Sequence, residues 1–463
     1  MELRPYQKQC LDDVRASFRA GHRAPLLVAP TGAGKTVMFS AVAHGRIQRG
    51  GRPLILCHRQ ELIDQIARSL KQFGIEAGVI AAGYEPNKNA AVQVASVWTL
   101  VRRLDKIAPP DLIIVDEAHH AIAKTTWGKI LRHYNCLRLG VTATPYRLSG
   151  EGLDDLFDDM VLGPSVQELI DLGALSKVNT YAPAEPDTVG IKSAGGDFVK
   201  DALADLMDRP SVTGDAVTHY KRLCDGQPAI AFCVSVKHAE HVAEQFAAAG
   251  YKAASVDGSM ESGKRRAIVK EFSDGRLNIL TSCELVSEGF DIPRVAAGLL
   301  LRPTKSLALY LQQVGRCLRP WAGKDHAVIL DHAGNTRRFG LCTDDQQWTL
   351  AGREPERRRA ANREPDVSVR ICKTCFAATS ARNSHCPDCG TEFPVKPRDV
   401  KHVDGELQEV VAGRVRGRRE QSSAFTLEQL IVLARSRGYK NPAGWAFHIM
   451  QAREKKKGHW TAK

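Results

Sequence analysis

Residues 26–36 read LLVAPTGAGKT, and this stretch decides the fold of the first part of the chain. Three apolar residues, typical of a buried strand, run into a turn with two glycines, and a helical pattern follows from Lys35. Gly32 and Gly34 allow backbone N–H groups to converge on an anion at the positive end of that helix. The stretch therefore predicts a phosphate-binding loop in which Thr31 and the two glycines surround the phosphates.

The polar residues of this region suit a nucleoside triphosphate with Mg²⁺. Lys35 can reach the β- and γ-phosphates, and the hydroxyl of Thr36 can ligate Mg²⁺. A second apolar strand, residues 112–115, ends in Asp116 and Glu117. Asp116 can hold Mg²⁺ through water, and Glu117 can orient and deprotonate the attacking water. Both motifs in one domain predict ATP hydrolysis.

Apolar strands alternate with helical patterns over residues 24–143, and the alternation returns after about residue 205. Apolar strands separated by helices predict parallel sheets that are covered on both faces. The fold class is therefore α/β, with two parallel-sheet domains in tandem. We place the domains at 1–163 and 164–345, a linker at 346–370, a cysteine-rich module at 371–394 and a basic, partly helical tail at 395–463.

The composition limits the class of protein and of partner. The chain has 463 residues, 43% of them hydrophobic, which is enough for packed domains and too much for a disordered chain. It contains no apolar run of about 18 residues and no visible signal peptide, so we predict a cytoplasmic protein. The formal charge is +13, and residues 371–463 hold 17 Lys and Arg against 9 Asp and Glu. This concentration of charge favours a polyanionic partner such as nucleic acid.

Four of the twelve cysteines are clustered and predict a metal site. Cys372, Cys375, Cys386 and Cys389 form two CxxC pairs separated by ten residues, the spacing of a closed tetrahedral Zn²⁺ site. Such a site is structural, because it leaves no open coordination position. His385 is an alternative ligand, although four cysteines are the simpler set. The other eight cysteines are scattered, and we interpret them as small core residues in a reducing compartment.

An ordered series of motifs resembles the superfamily 2 helicases of the DEAH type. The series reads LRPYQ at 3–7, the phosphate loop, HRQEL at 58–62, ASVWTL at 95–100, DEAH at 116–119, TATP at 142–145, TS at 281–282, EGFDIP at 288–293 and QQVGRCLRP at 312–320. The resemblance covers residues 3 to about 340. It implies two RecA-like domains that bind ATP in the cleft between them and grip nucleic acid with both halves.

The resemblance also implies roles for residues outside the phosphate loop. Gln7 is the expected adenine contact, with Arg4 as its helper. Gly289 and Asp291 belong to the motif at 288–293 and are expected at the nucleotide. Gln312, Arg316 and Arg319 are expected to act in catalysis from the second domain, where an arginine can neutralise charge on the γ-phosphate. The candidates for contacts with the nucleic-acid backbone are Arg59, Ser96, Thr99 and Thr281.

The whole architecture resembles the bacterial RadD-like DNA-repair helicases, which have a helicase core, a four-cysteine element and a small helical tail. This resemblance implies DNA repair or recombination, with a single-strand-binding protein or a recombinase as partner. We expect a monomer that acts on single-stranded or branched DNA. RNA stays open as the substrate. One alternative is the translocating subunit of a restriction system. Such a subunit needs a nuclease, and Glu454-Lys455-Lys456 is only weak support for one. Another alternative is a non-catalytic nucleic-acid clamp. The complete ATPase set of residues argues against a clamp.

Overall fold

The computed structural model describes residues 2–147, 150–182, 193–194, 197–198, 203, 207, 210–283, 292, 294–352, 369–393, 426–436 and 441–457. These residues fall into two compact units, Met1–Pro394 and Val395–Lys463. No helix in the described ranges is long and apolar enough to cross a membrane.

The first domain is a seven-stranded sheet whose neighbouring strands all run parallel, in the order β3-β4-β2-β5-β6-β1-β7. Three of its inner strands, β1, β2 and β5, are buried along their whole length, as expected for apolar strands that helices cover on both faces. The strands are β1 Pro25–Val28, β2 Pro53–Cys57, β3 Gly78–Ile80, β4 Gln93–Ser96, β5 Leu112–Asp116, β6 Leu137–Thr142 and β7 Asp159–Leu162, and the helices are α1 Pro5–Arg19, α2 Lys35–Ile47, α3 Gln60–Gln72, α4 Val97–Leu100 and α5 Thr126–His133.

The second domain is a six-stranded parallel sheet in the order β12-β13-β11-β14-β15-β8. A short antiparallel pair, β9 with β10, follows β8 in the chain. The predicted fold class, two tandem parallel-sheet RecA-like domains, is confirmed. The elements are α6 Val166–Asp171, β8 Lys177–Tyr181, β9 Ser193–Ala194, β10 Asp197–Phe198, α7 Pro210–Cys224, β11 Ala229–Phe232, α8 Val236–Ala248, β12 Ala253–Val256, α9 Ser262–Ser273, β13 Ile279–Ser282, β14 Ala297–Leu300, α10 Leu307–Cys317, β15 His326–Asp331 and α11 Asn335–Phe339.

Residues 341–352 return from the second domain to the first, and we call them the strap. The ring of Trp348 packs edge-on against Tyr146 with centroids 5.3 Å apart. The N–H of Leu153 donates to the carbonyl of Leu350 at 2.8 Å. Residues 346–352 of the predicted linker at 346–370 thus pack on the first domain through their few apolar side chains, and the bounds of the linker stay a prediction. Residues 353–368 lie outside the described ranges.

The cysteine module is joined to the edge of the second sheet. Its strands β16 Val369–Ile371 and β17 Ala378–Ser380 are antiparallel. The N–H of Ala182, just after β8, donates to the carbonyl of Phe376 at 3.0 Å. Tyr181 forms an isolated bridge with Ala377, and its ring packs on the cysteine cluster. The module is thus an extension of the second domain.

The second compact unit contains two helices that pack on each other, α12 Leu427–Ser436 and α13 Pro442–Lys457. Leu430 of α12 and Ala446 of α13 are buried in one apolar cluster, and Ala434 of α12 is also buried. The predicted tail is therefore helical in this part. The basic run at 414–419 lies outside the described residues.

Candidate functional site

The phosphate loop follows β1 and opens α2, as its sequence predicts. Gly32 and Gly34 have φ angles of +91° and +79°, which favour glycine. A Cβ atom at Gly34 would lie 2.5 Å from Nε2 of Gln7, so a side chain there would also collide with α1. The Nζ of Lys35 donates to the carbonyls of Ala29 and Pro30 at 3.1 and 3.3 Å. The loop is thus a preformed cradle whose ammonium group can turn to a phosphate.

Asp116 and Glu117 lie at the carboxyl end of β5. Asp116 is buried, and one of its oxygens accepts the N–H of Glu117 at 3.0 Å. Glu117 has a φ angle of +48°, which is uncommon for a residue with a side chain. Burial lowers the pKa of Lys35 below its ordinary value, and the charges of Glu117 and Asp116 act in the opposite direction. These two carboxylates and Lys35 therefore share one site.

The second domain completes this site through α10. The charges of Arg316 and Arg319 also lower the pKa of Lys35, which places both guanidinium groups within electrostatic reach of the phosphate loop. At Gly315 a Cβ atom would lie 2.6 Å from Cβ of Thr31, so α10 directly contacts the loop. A second link between the domains is the 2.8 Å ion pair of Arg265 with Glu61.

A buried histidine connects the two domains behind the carboxylates. Nδ1 of His119 lies 2.9 Å from the hydroxyl of Thr142, and Nε2 lies 3.4 Å from Nε2 of Gln312. The Thr142 hydroxyl already donates its one proton to the carbonyl of Thr144 at 2.8 Å, so it accepts from the imidazole. The hydrogen bonds thus assign the proton to Nδ1 and leave Nε2 to accept from the Gln312 amide.

The expected adenine contacts lie beside the phosphate loop. Gln7 is buried on α1, and its Nε2 donates to the carbonyl of Ala33 at 3.2 Å while the hydroxyl of Tyr6 donates to the same oxygen at 3.0 Å. Burial raises the pKa of Tyr6, and the neighbouring Arg4 opposes the shift. Arg4 itself is exposed at the start of α1. The adenine-binding role of Gln7 and Arg4 remains a prediction.

Three of the four candidate nucleic-acid contacts lie together at the carboxyl ends of β2 and β4 in the first sheet. Arg59 follows β2, and Ser96 ends β4, which pairs with β2 at Cys57. Thr99 lies one turn further, on α4. All three are partly exposed.

Thr281 is placed differently. It is fully buried on β13, and its hydroxyl donates to the carbonyl of Ala239 at 2.6 Å, so here it packs the second sheet. Gly289 and Asp291 lie outside the described residues.

Trp98 is a residue of this edge that sequence reasoning missed. It lies between Ser96 and Thr99 and is 59% exposed, although tryptophan side chains are usually well covered. The signal was present in the sequence as an aromatic residue inside the motif at 95–100. A large exposed ring at a candidate strand-binding edge can stack on a nucleobase.

The four cysteines predicted to bind a metal come together. Their sulfur atoms all lie within 4.8 Å of one another, and the Cys372–Cys389 and Cys375–Cys386 pairs are 3.6 and 3.5 Å apart. Zinc–sulfur bonds of about 2.3 Å in a tetrahedron require sulfur separations of about 3.8 Å. His385 instead lies 3.0 Å from the hydroxyl of Ser384. The donor set therefore fits a zinc ion held by four cysteines.

Comparisons with known proteins agree with this geometry. Residues 1–147 match the family described as "Type III restriction enzyme, res subunit", and residues 215–320 match "Helicase conserved C-terminal domain". The chain is 32% identical to the "51.5 kDa protein" of a Lactococcus phage (isolate 7-9), over 84% of this chain and 83% of that protein. It is 31% identical to the "Putative ATP-dependent helicase IRC3" of Saccharomyces cerevisiae, over 72% of this chain but only 51% of the yeast protein.

The fold is similar to a solved fragment of a putative HsdR subunit of a type I restriction enzyme from Vibrio vulnificus. The TM-score is 0.59 at 23% identity, and the match covers 73% of this chain and 65% of that fragment. At this identity the likeness concerns the fold alone.

Proposed function

The chain belongs to the superfamily 2 helicases and is an ATP-hydrolysing enzyme of the helicase and translocase type, and we propose that it moves along DNA in repair or recombination. One observation carries the proposal. The partly buried Lys35 interacts electrostatically with two carboxylates of the first domain and with Arg316 and Arg319 of the second. A nucleotide in this cleft therefore contacts both domains, and its hydrolysis changes the attraction between them.

We assign the chemical roles as follows. Lys35 holds the β- and γ-phosphates, and Glu117 takes the proton of the attacking water. Arg316 and Arg319 neutralise the charge that develops on the γ-oxygens. Thr36 and Asp116 would hold Mg²⁺, which supplies further charge neutralisation when it is bound.

Coupling between hydrolysis and movement runs through His119 in this proposal. The imidazole contacts Thr142 in the first domain and Gln312 in the second, so its contact with Gln312 depends on the distance between the domains. Opening of the cleft would break the Gln312 contact and free the imidazole to shift relative to Thr142 and Thr144. Discrete rearrangements of this kind are how packed interfaces convert a small change at a ligand into domain movement.

The nucleic-acid partner is supported by the exposed edge that carries Arg59, Ser96, Trp98 and Thr99. Arginine and hydroxyl groups suit phosphates, and the tryptophan ring suits a base. DNA is the proposed strand because the architecture is similar to that of RadD-like, DEAH-type helicases. RNA is the competing substrate, and a single-strand-binding protein or a recombinase is the proposed protein partner.

Two further parts of the chain have proposed roles. The four cysteines bind structural Zn²⁺, since a module this small needs the metal to fold. Residues 395–463, with 15 basic and 7 acidic residues, provide additional grip on phosphates. A comparison of the salt dependence of DNA affinity between the full chain and residues 1–394 tests the second role.

A second candidate function is the translocating subunit of a restriction-type system. The match of residues 1–147 to a restriction-enzyme family favours it. Such a subunit works with a nuclease, so incubation of supercoiled plasmid with the protein, ATP and Mg²⁺ distinguishes the candidates. ATP-dependent cleavage of the plasmid would favour the restriction system, whereas ATP turnover with intact DNA favours a translocase of repair or recombination.

The experiment for the main proposal uses Trp98→Ala, with Trp321→Ala as the matched control because Trp321 is similarly exposed in the second domain. ATP turnover is measured against increasing single-stranded DNA, duplex, fork and RNA. Loss of one stacked base costs about 1–3 kcal/mol, so Trp98→Ala should raise the half-maximal DNA concentration about 5- to 100-fold. Trp321→Ala should not change it. No stimulation by any DNA, or greater stimulation by RNA, would contradict the proposal.

A further inference from the structure

A cavity of about 700 Å³ lies in the first domain at the edge opposite to the ATP site. Its wall includes Pro53 and Gln93, the first residues of β2 and β4, whereas the ATP-site carboxylates lie at the carboxyl end of β5. We call it the basal cavity. Its volume is within the range of sites that bind small molecules.

Four cationic side chains from three separate loops line the basal cavity: Arg52, Lys88, Arg103 and Lys106. None of the described residues that line it is acidic. Within the described part of the chain none of the four forms an ion pair. Like charges that converge on a concave surface repel each other and raise the local concentration of anions.

Two of the neighbouring acidic residues have partners outside the cavity. Asp105, next to Lys106, lies 3.5 Å from His133, and Asp111 accepts from Arg46 at 2.9 Å. Glu85 precedes Pro86 of the lining and is exposed, so one carboxylate lies on the same loop as Lys88, while the lining itself is positive.

The wall of the cavity is fixed by hydrogen bonds and close packing. Nε2 of Gln93 donates to the carbonyl of Asn87 at 2.8 Å, and the N–H of Asn89 donates to the Asn87 side chain at 3.2 Å. A Cβ atom at Gly78 would lie only 2.3 Å from the Asn87 carbonyl, so the loop packs tightly on β3. Buried apolar residues, among them Leu54 and Ile80, form the floor.

We propose that the basal cavity is a second anion site, which binds a ligand with adjacent phosphate groups and an uncharged ring that the apolar floor and the side-chain amides cover. A nucleoside diphosphate has this chemistry, and so does the end of a nucleic-acid strand. Arginine and lysine hold the phosphates through charge-assisted hydrogen bonds. The inference does not rest on the proposed function, because the cavity lies at the opposite edge from the ATP site.

The test measures protection of lysines from acetylation in the full chain, read by mass spectrometry. The probes are adenosine diphosphate, guanosine diphosphate and a short oligodeoxythymidylate. Lys88 and Lys106 should be protected, while the exposed Lys129 and Lys237 should react as before. Because each lysine is read separately, binding of a probe at Lys35 does not confuse the result. Protection by a nucleotide identifies a free ligand, and protection by the oligonucleotide alone identifies a strand end.

Charge reversal provides the matched variants. Arg103→Glu should weaken binding at Lys88 and Lys106 at least about tenfold, the effect of losing one charge-assisted contact. Arg102→Glu makes the same charge change at the neighbouring exposed position, outside the cavity lining, and should leave binding unchanged. Absence of protection by all three probes, or equal weakening by both variants, would overturn the proposal.

Discussion

Lys35 and Glu117 lie in the same buried site but act on different parts of the reaction. Lys35 contacts phosphate in the proposed mechanism, so Lys35→Ala should abolish both ATP binding and turnover. Glu117 acts on water, so Glu117→Gln should retain ATP and DNA binding and lose hydrolysis by about 10²–10⁴-fold, the usual contribution of a general base. Nucleotide binding by fluorescence and phosphate release are the measurements. Turnover at the normal rate in Glu117→Gln would refute the assignment.

Burial of His332 is expected to make the stability of the second domain depend on pH. It is buried beside the ring of His219, 5.1 Å away, and its Nε2 has no hydrogen-bond partner among the described residues. Burial, assisted by the charge of His219, lowers its pKa to about 3. The folded state therefore keeps His332 neutral, whereas the unfolded chain takes up a proton below pH of about 6.5. The free energy of unfolding therefore has its full value above that pH and decreases as the pH falls towards 3.

His332→Leu removes this proton uptake. Between pH 7 and pH 5 the natural chain should lose about 2 kcal/mol more of its free energy of unfolding than the variant. Urea unfolding at both pH values measures the difference, and His326→Leu, at the partly exposed first residue of the strand that precedes His332, is the control. Equal losses in the natural chain and in His332→Leu would show that His332 is not the group that titrates.

Single residues were predictable from sequence where a motif fixes both residue type and backbone. The glycines of the phosphate loop lie between the buried β1 and α2, and Asp116 and Glu117 lie at the end of the buried β5, so their positions in the fold were predictable. Thr281 was not, because a hydroxyl at the end of a strand reaches either solvent or a neighbouring carbonyl, and only packing decides. Trp98 was missed because its exposure depends on what covers α4, which no local pattern encodes.

Among the elements, α10 carries the chemistry of the second domain. Arg316→Ala and Arg319→Ala should bind ATP nearly normally, since Lys35 still holds the phosphates. Loss of an arginine that neutralises the transition state should slow turnover by about 10³–10⁵-fold. Single-turnover ATP hydrolysis measures this. Rates within about tenfold of the natural protein for both variants would show that neither arginine has this role.

Among the strands of the two parallel sheets, the sequence analysis located none at β3, β7 and β8, which lie at sheet edges. Edge strands carry a weaker apolar pattern, because one side of the strand has no neighbour to pack against. The alternation of strands and helices still predicted both sheets correctly, since it depends on the buried central strands. The docking of the cysteine module on β8 had no local signal at all, because it depends on residues nearly 200 positions apart.

At the scale of the whole molecule, we expect the folding of the cysteine module to depend on a bound metal ion. Cys372→Ser with Cys375→Ser should remove one bound zinc and expose the N–H of Ala182, whose partner Phe376 lies in the module. ATP turnover should persist, because β8 lies at the edge of its sheet. Metal analysis and amide exchange are the measurements, with Cys136→Ser as a control outside the cluster. An unchanged zinc content in the double variant would contradict the site.

The strap has a consequence for the order in which the chain folds during synthesis. Trp348 packs on the first domain, yet about 190 residues separate it from the end of β7 at Leu162. At about 5–20 residues per second, the ribosome delivers Trp348 roughly 10–40 s after β7. Until then the apolar surface around Tyr146 is exposed to solvent, so the first domain cannot complete its packing while the second domain is being synthesised. A cellular chaperone that shields this patch therefore has a defined interval in which to act.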